Sequence, residues 1–257
     1  MKLAAIATNT FRETVRDKVL YNLVLFAVLL VGSSLLIGQL SISQDQKIIM
    51  DMGLSSMLVF GTLIAIFIGI GLVYKELDKR TVYSLLTKPI HRYEFILGKY
   101  CGLGLTLLVN SAVMAVSVVL ALVFLQKGFD RLQWALIPAA YLIFLELVVV
   151  TAIAMLFSSF SSPALSATFT FLLFVVGNFS GDFHTYAANS NSAVTKTVLY
   201  ALYYLLPNMS NFNFITIAAH GQVVPLSIVL SSTLYALVYC GVLLSVAIMI
   251  FERRDFK

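Results

Sequence analysis

Glu146 stands in the apolar run LIFLELVVV. An acid there costs several kcal/mol if charged and unpaired, which makes it a functional candidate by default. Asn110, followed by Ser111, interrupts a second apolar run. Counted from the inner end of each run, Glu146 and Asn110 lie about eleven and about ten residues in, or roughly 15–17 Å at the helical rise. Equal depth predicts a direct or water-bridged contact between Glu146 and Asn110 or Ser111. Such a contact is either adhesion between helices, worth about 0.6–2 kcal/mol, or part of a path for substrate or protons. Catalysis within the apolar runs would need paired carboxylates, a histidine cluster or an activated serine. One isolated glutamate does not supply it, so no catalytic residue is assigned. Asp182, His184, Met209 and His220 lie outside the apolar runs, and Met50, Met52 and Met57 cluster near one. Thioether and imidazole suit copper, but the two histidines are thirty-six residues apart and the methionines show no ligand spacing. No metal site is expected. Cys101 and Cys240 sit inside apolar runs and read as small buried hydrophobes.

The elements that must position these residues follow from composition. In 257 residues, 60% are hydrophobic and 11% charged, against about 45–50% and about 25% in an ordinary globular chain. Mean hydropathy is +0.95. A soluble fold of this size could not hide so much apolar surface. The solvent is a bilayer, which excludes a soluble enzyme, a disordered chain and a disulfide scaffold.

A helix needs about 20 apolar residues to cross the hydrocarbon, with its backbone satisfied internally. Six stretches qualify: 20–40, 54–74, 100–125, 134–157, 164–179 and 225–251. The fifth is the shortest, starting after Pro163 and ending near Asn178. Thirteen of the 17 basic residues precede the first stretch, lie between the second and third, or follow the sixth; only Lys47, Lys127, Arg131 and Lys196 fall on the other side. The positive-inside rule then puts both termini in the cytoplasm. The net charge of +5 reflects topology and attraction to anionic lipid, and no nucleic-acid partner is expected. The expected fold is an all-α integral membrane protein, a single transmembrane domain over 1–257.

Three segments stand outside the spans. In 1–19, Leu3, Ala7, Phe11 and Val15 recur every fourth residue, with Asn9, Arg12, Glu13 and Arg16 opposite. This predicts an amphipathic helix on the inner leaflet rather than a cleavable signal. In 75–99, Leu77, Thr81 and Leu85 share a stripe with Val82 and Leu86 beside it, and Glu76 can pair with Arg80 at i, i+4. Pro89 ends that helix, and another begins near His91 or Arg92. A short helix with one apolar and one basic face, held outside the bilayer, needs a protein surface to dock on; the alternative is that it lies on lipid. In 180–224, an apolar stretch carrying Tyr200, Tyr203 and Tyr204 ends at Pro207. It is too short to cross and predicts an interfacial or re-entrant helix at the outer surface. Gly61, Ala65 and Gly69 repeat every fourth residue in the second span, as Gly98 and Gly102 do at the start of the third; the former favours close packing of the second span.

The run GIGLVYKELDKRTVYSLLTKPIHRYEFILGKY resembles the segment between the second and third spans of type-2 ABC exporter permeases. The matching positions are Glu76, Thr81, Leu85, Leu86, Pro89, Arg92, Gly98 and Lys99. LELVVVTAIAMLFSSFSSPALSA and YYLLPNMSNFNF fit as well, and the likeness is nearest to the permease group associated with multicopper-enzyme maturation. The resemblance implies that 75–99 contains a coupling helix seated in a cleft of a separate ATPase subunit, with Glu76, Arg80, Thr81, Leu85 and Leu86 as contacts. It further implies export across a bacterial inner membrane by a dimer of permeases, identical or not, on a pair of ATPase subunits, and a cap formed by 180–224. Phe60, Phe67, Phe169 and Phe174, with Phe171, are then candidates to line an apolar pathway, although lipid or core packing is the more ordinary reading of each. This chain has no G-x-x-x-x-G-K-[ST] loop, since Gly98 and Lys99 lack the earlier glycine and a following Ser or Thr. It is not expected to be an enzyme or to hold a cofactor; ATP and Mg would sit on the partner. Other partners implied are membrane lipid and a periplasmic protein. The competing classes are a secondary transporter, for which no repeated sequence or broken span pair with charged groups is seen, and an ATP-driven complex that transmits force without moving cargo.

Overall fold

The computed structural model describes residues 2–39, 45–78, 92–126, 128, 131–190 and 192–253. Among these, every regular element is helical: α1 (Lys2–Val15), α2 (Lys18–Gln39), α3 (Asp45–Asp78), α4 (Arg92–Gln126), α5 (Arg131–Ser158), α6 (Pro163–Asn178), α7 (Ser180–Asn189), α8 (Ala193–Leu205), a 3-10 turn (Met209–Phe212), α9 (Ile215–Ala219) and α10 (Leu226–Arg253). α3, α4, α5 and α10 are long and apolar enough to cross a membrane, and α6 with α7, bent by 49°, makes a fifth if the pair is one broken span. α3 has 34 residues, about 51 Å at 1.5 Å each, so it is longer than the hydrocarbon thickness. Its extra turns extend the expected second span at both ends. α4 begins at Arg92, where the sequence places a helix start.

α5 is the axis of the bundle. It contacts α3, α4, α6, α9 and α10, and Leu142, Val149, Val150, Ala152 and Ala154 are fully buried along it. Its neighbours meet it through small residues. A Cβ added at Gly61 would lie 2.5 Å from Leu147, and one at Gly69 would touch Ala154 at 3.4 Å. Ala65, between them, is buried. The four-residue stripe therefore does pack tightly, and its partner is α5. Tyr100 Oη donates to the Val148 carbonyl at 3.1 Å, tying α4 to α5, and the Tyr141 and Thr233 hydroxyls meet at 3.2 Å between α5 and α10.

α1 differs from its expected placement in one respect. It packs along the first half of α4, with Ile6, Ala7 and Thr10 on the Gly98 and Gly102 positions. Its buried residues are Ala7, Thr10 and Thr14, while Leu3 is exposed. Of the expected stripe Leu3, Ala7, Phe11 and Val15, only Ala7 is buried on the docking face, while Leu3 is exposed and Phe11 and Val15 are half-buried. Lipid solvates large apolar side chains as well as protein does, so small residues that permit backbone approach choose the interface. Thr14 Oγ1 donates to the Thr10 carbonyl at 2.8 Å, so the face carries no open hydroxyl there. The same end of the bundle receives the end of α10, where Phe251 stacks on Phe95 at 6.1 Å, and buried Lys99 stands 5.2 Å over the Phe95 ring. We call it the termini end and the opposite one the cap end.

A Cβ at Gly102 would lie 2.6 Å from the Ala7 carbonyl oxygen, whereas one at Gly104 would meet nothing within 4 Å. Gly102→Ala should therefore lower the thermal unfolding midpoint in detergent, by the equivalent of about 1–3 kcal/mol of overpacking. Gly104→Ala should leave the midpoint unchanged; equal midpoints for the two variants would contradict the α1–α4 seam.

Candidate functional site

The polar groups of interest gather where α6 turns into α7. Pro163, in the first turn of α6, fixes its start after Ser162, and proline there loses no hydrogen bond because that N–H has no helical partner. α6 presents Ser166, Thr170 and Gly177 inward, all buried, and leaves Phe169, Phe171 and Leu172 exposed. At its last residue, Asn178 Nδ2 donates to Glu146 Oε1 at 3.1 Å and to the Phe174 carbonyl at 3.1 Å. Glu146 is completely buried, and its Oε2 has no hydrogen-bond partner.

This corrects the expected pairing. Asn110 and Ser111 are buried on α4, but Asn110 Nδ2 makes no hydrogen bond; the expected contact of Glu146 with Asn110 or Ser111 is not formed as a direct hydrogen bond. Depth was a fair guide, since Glu146 and Asn110 lie at similar distances from the cap-end turn between α4 and α5. Depth says nothing about rotation around the helix axis. The tight turn from Ser158 to Pro163 makes α5 and α6 an antiparallel pair, and it is α6 that brings an amide to the glutamate.

Two residues beyond Asn178, across the bend, a second polar group closes the cap. Ser180 Oγ donates to Asn208 Oδ1 at 2.6 Å, and Ser210 Oγ donates to the same oxygen. The Asn208 N–H donates to Tyr235 Oη at 2.8 Å, and Ser232 Oγ donates to the Asn211 carbonyl at 3.0 Å. Asn208 thereby joins α7, the 3-10 turn and α10. The turn seats itself on a glycine: a Cβ at Gly177 would lie 2.7 Å from both the Pro207 carbonyl oxygen and Met209 Cγ. Met209 and Phe212 are fully buried below it, and Phe212 packs against Tyr235 with ring centroids 6.0 Å apart. The segment 180–224 is thus a set of short helices folded over one end of the bundle. Within it α7 and α8 pair, His184 lying between Tyr200 and Tyr203 at 5.7 and 5.2 Å.

The other sequence candidates are dispersed. Phe67 is 55% and Phe169 41% exposed on the bundle surface, while Phe60 and Phe174 are half-buried against the core; no common lining joins the four. Arg80, Thr81, Leu85 and Leu86 lie outside the described residues. So does the side chain of Glu76, although its backbone belongs to α3. Asn178, Ser180, Asn208 and Tyr235 were not singled out as functional from sequence. Their signal was an amide ending an apolar run and a Pro-Asn pair in a long connector.

A bundle whose helices are long and apolar enough to cross a membrane, with a buried acid and a hydrogen-bonded cap, is that of an integral membrane protein. The chain matches the family described as ABC-2 family transporter protein over residues 4–256, and it belongs to that family. It is therefore a multi-pass membrane subunit of an ABC transporter, a type-2 permease. Membership implies an ATPase partner subunit and usually a second permease copy. A comparison with curated proteins gave no match.

The Glu146–Asn178 bond has a direct test. Asn178→Ala removes the donor and leaves both carboxyl oxygens of a buried group unsatisfied, at about 1–3 kcal/mol. Glu146→Gln retains an acceptor oxygen for Asn178. Thermal unfolding in detergent should show a markedly larger loss for Asn178→Ala than for Glu146→Gln.

Proposed function

We propose that this chain is one of two permease copies in an ATP-driven exporter of a bacterial inner membrane, with six crossings per copy and both termini in the cytoplasm. α2, α3, α4, α5, the α6–α7 pair and α10 would be the crossings. α2 has 22 residues, about 33 Å, enough for the hydrocarbon. The basic residues between the second and third crossings support a cytoplasmic termini end.

One observation carries the coupling reading. α3 runs to Asp78 and α4 restarts at Arg92, at the end of the bundle where α1 docks and α10 finishes. The segment between them carries Arg80, Thr81, Leu85 and Leu86, with Glu76 in the last turn of α3 before it, and would be the handle that the ATPase grips. ATP and Mg would bind the partner. A nucleotide-dependent change in that grip shifts the permease between states only if the two ATPase states contact the helix differently. Rigid-body motion of α3 and α4 would then reach α5 through the seams at Gly61, Gly69 and Tyr100. At the far end, separation of α6 from α5 would break the Glu146–Asn178 bond and lift the Asn208 junction, which makes the cap the outer gate.

Leu85→Asp with Leu86→Asp should abolish substrate-stimulated ATP hydrolysis and transport in the reconstituted complex, while the subunits still reach the membrane. Wild-type rates in that double variant would remove the coupling assignment.

A further inference from the structure

We propose that the cap end of α2, α3 and α4 forms a binding site for a phospholipid whose headgroup carries both an ammonium and a phosphate. The first part of the site is a cavity of about 740 Å³ lined by Asp45, Gln46, Lys47, Leu125, Leu132 and His220, with Ala219 beside them. That volume lies within the range of small-molecule sites, about 300–1,000 Å³. Among the described residues that line it, the charged groups are one carboxylate and one ammonium, two residues apart on the first turn of α3. They form no ion pair with each other. Asp45 Oδ1 is enclosed yet has no hydrogen-bond partner. His220 Nδ1 lies 2.7 Å from the Thr216 carbonyl, so Nδ1–H donates and Nε2 remains an acceptor. Two acceptors and one cation suit a zwitterion: its ammonium meets Asp45 and His220, and its phosphate meets Lys47. A headgroup with a phosphate but no ammonium would leave Asp45 unpaired beside a second anion.

The second part is apolar. A cavity of about 580 Å³ lies between α2 and α4, lined by Val28, Val31, Gly32, Leu120 and Phe124 among others. Ser117, which also lines it, donates its hydroxyl to the Val113 carbonyl at 2.9 Å. Its walls thus suit hydrocarbon. Phe124 of this groove and Leu125 of the polar cavity are consecutive on α4, two residues from the end of the helix. A polar pocket at a helix end and an apolar groove starting beside it and running down the helix match the two halves of one amphiphile. Free solutes need only the first. Which leaflet supplies the lipid rests on the orientation proposed above; the binding itself does not.

The test is native mass spectrometry of the full chain, delipidated in mild detergent and incubated with phosphatidylethanolamine, phosphatidylglycerol or free O-phosphoethanolamine. Wild type should retain phosphatidylethanolamine at least tenfold over phosphatidylglycerol, and free O-phosphoethanolamine in equal amount should not displace it. Asp45→Asn should abolish the preference and Asp45→Glu should keep it. Gly32 has open space around its Cα, so Gly32→Phe should fill the groove and reduce lipid retention without lowering the thermal midpoint. Equal retention of the two lipids, an Asp45→Asn variant that binds like wild type, or full displacement by the free headgroup would each overturn the proposal. No ATPase enters the assay, so failure here would leave the export reading intact.

Discussion

The bundle depends on backbone approach at small residues. In water, burying Leu and Val would hold these helices together; in a bilayer the surrounding chains are as apolar as the side chains, and that drive is absent. What remains is dispersion at close packing, interhelical hydrogen bonds and shape. Gly61 and Gly69 set α3 against α5, Gly98 and Gly102 set α1 against α4, and Gly177 seats the cap. At Gly61, Gly98, Gly102 and Gly177 a methyl group would collide with a neighbouring side chain or carbonyl, and at Gly69 it would be in contact with Ala154.

Those seams give α5 its position, and α5 carries the only acid of the described spans that is buried deep within the bundle. Glu146 has a single donor, the amide at the last residue of α6, and that residue adjoins the 49° bend. A buried acid linked at a break in helix geometry is a natural joint. The bond is worth little by itself, about 0.6–2 kcal/mol, so it can open and reform within a transport cycle. The Asn208 junction lies on the other side of the same bend. Motion of α6 would be felt by both together.

The two ends of the bundle are built differently. The termini end is held by packing of α1, α4 and α10, with Lys99 and Phe251 meeting at Phe95. The cap end is built from short helices that join through the Asn208 hydrogen bonds and through buried Met209 and Phe212.

Much of this was legible in the residues. Apolar run length fixed the long helices and their order, because a bilayer demands internally satisfied backbone over a set distance. α4 starts at Arg92 and α6 after Pro163, as charge and proline required, and the four-residue glycine stripe marked a seam. The resemblance around Glu76, Leu85 and Lys99 pointed to the family that residues 4–256 match. Rotation about the helix axes was not legible, since a side chain's depth follows from counting residues while its direction depends on which neighbour is nearest. Hence Glu146 could be placed in depth with Asn110 yet bond to Asn178, and the apolar stripe expected on lipid could not show that Ala7, Thr10 and Thr14 set α1 on α4. Tertiary packing decided both, because in lipid the interface goes to the helix surfaces that can come closest rather than to the most apolar ones.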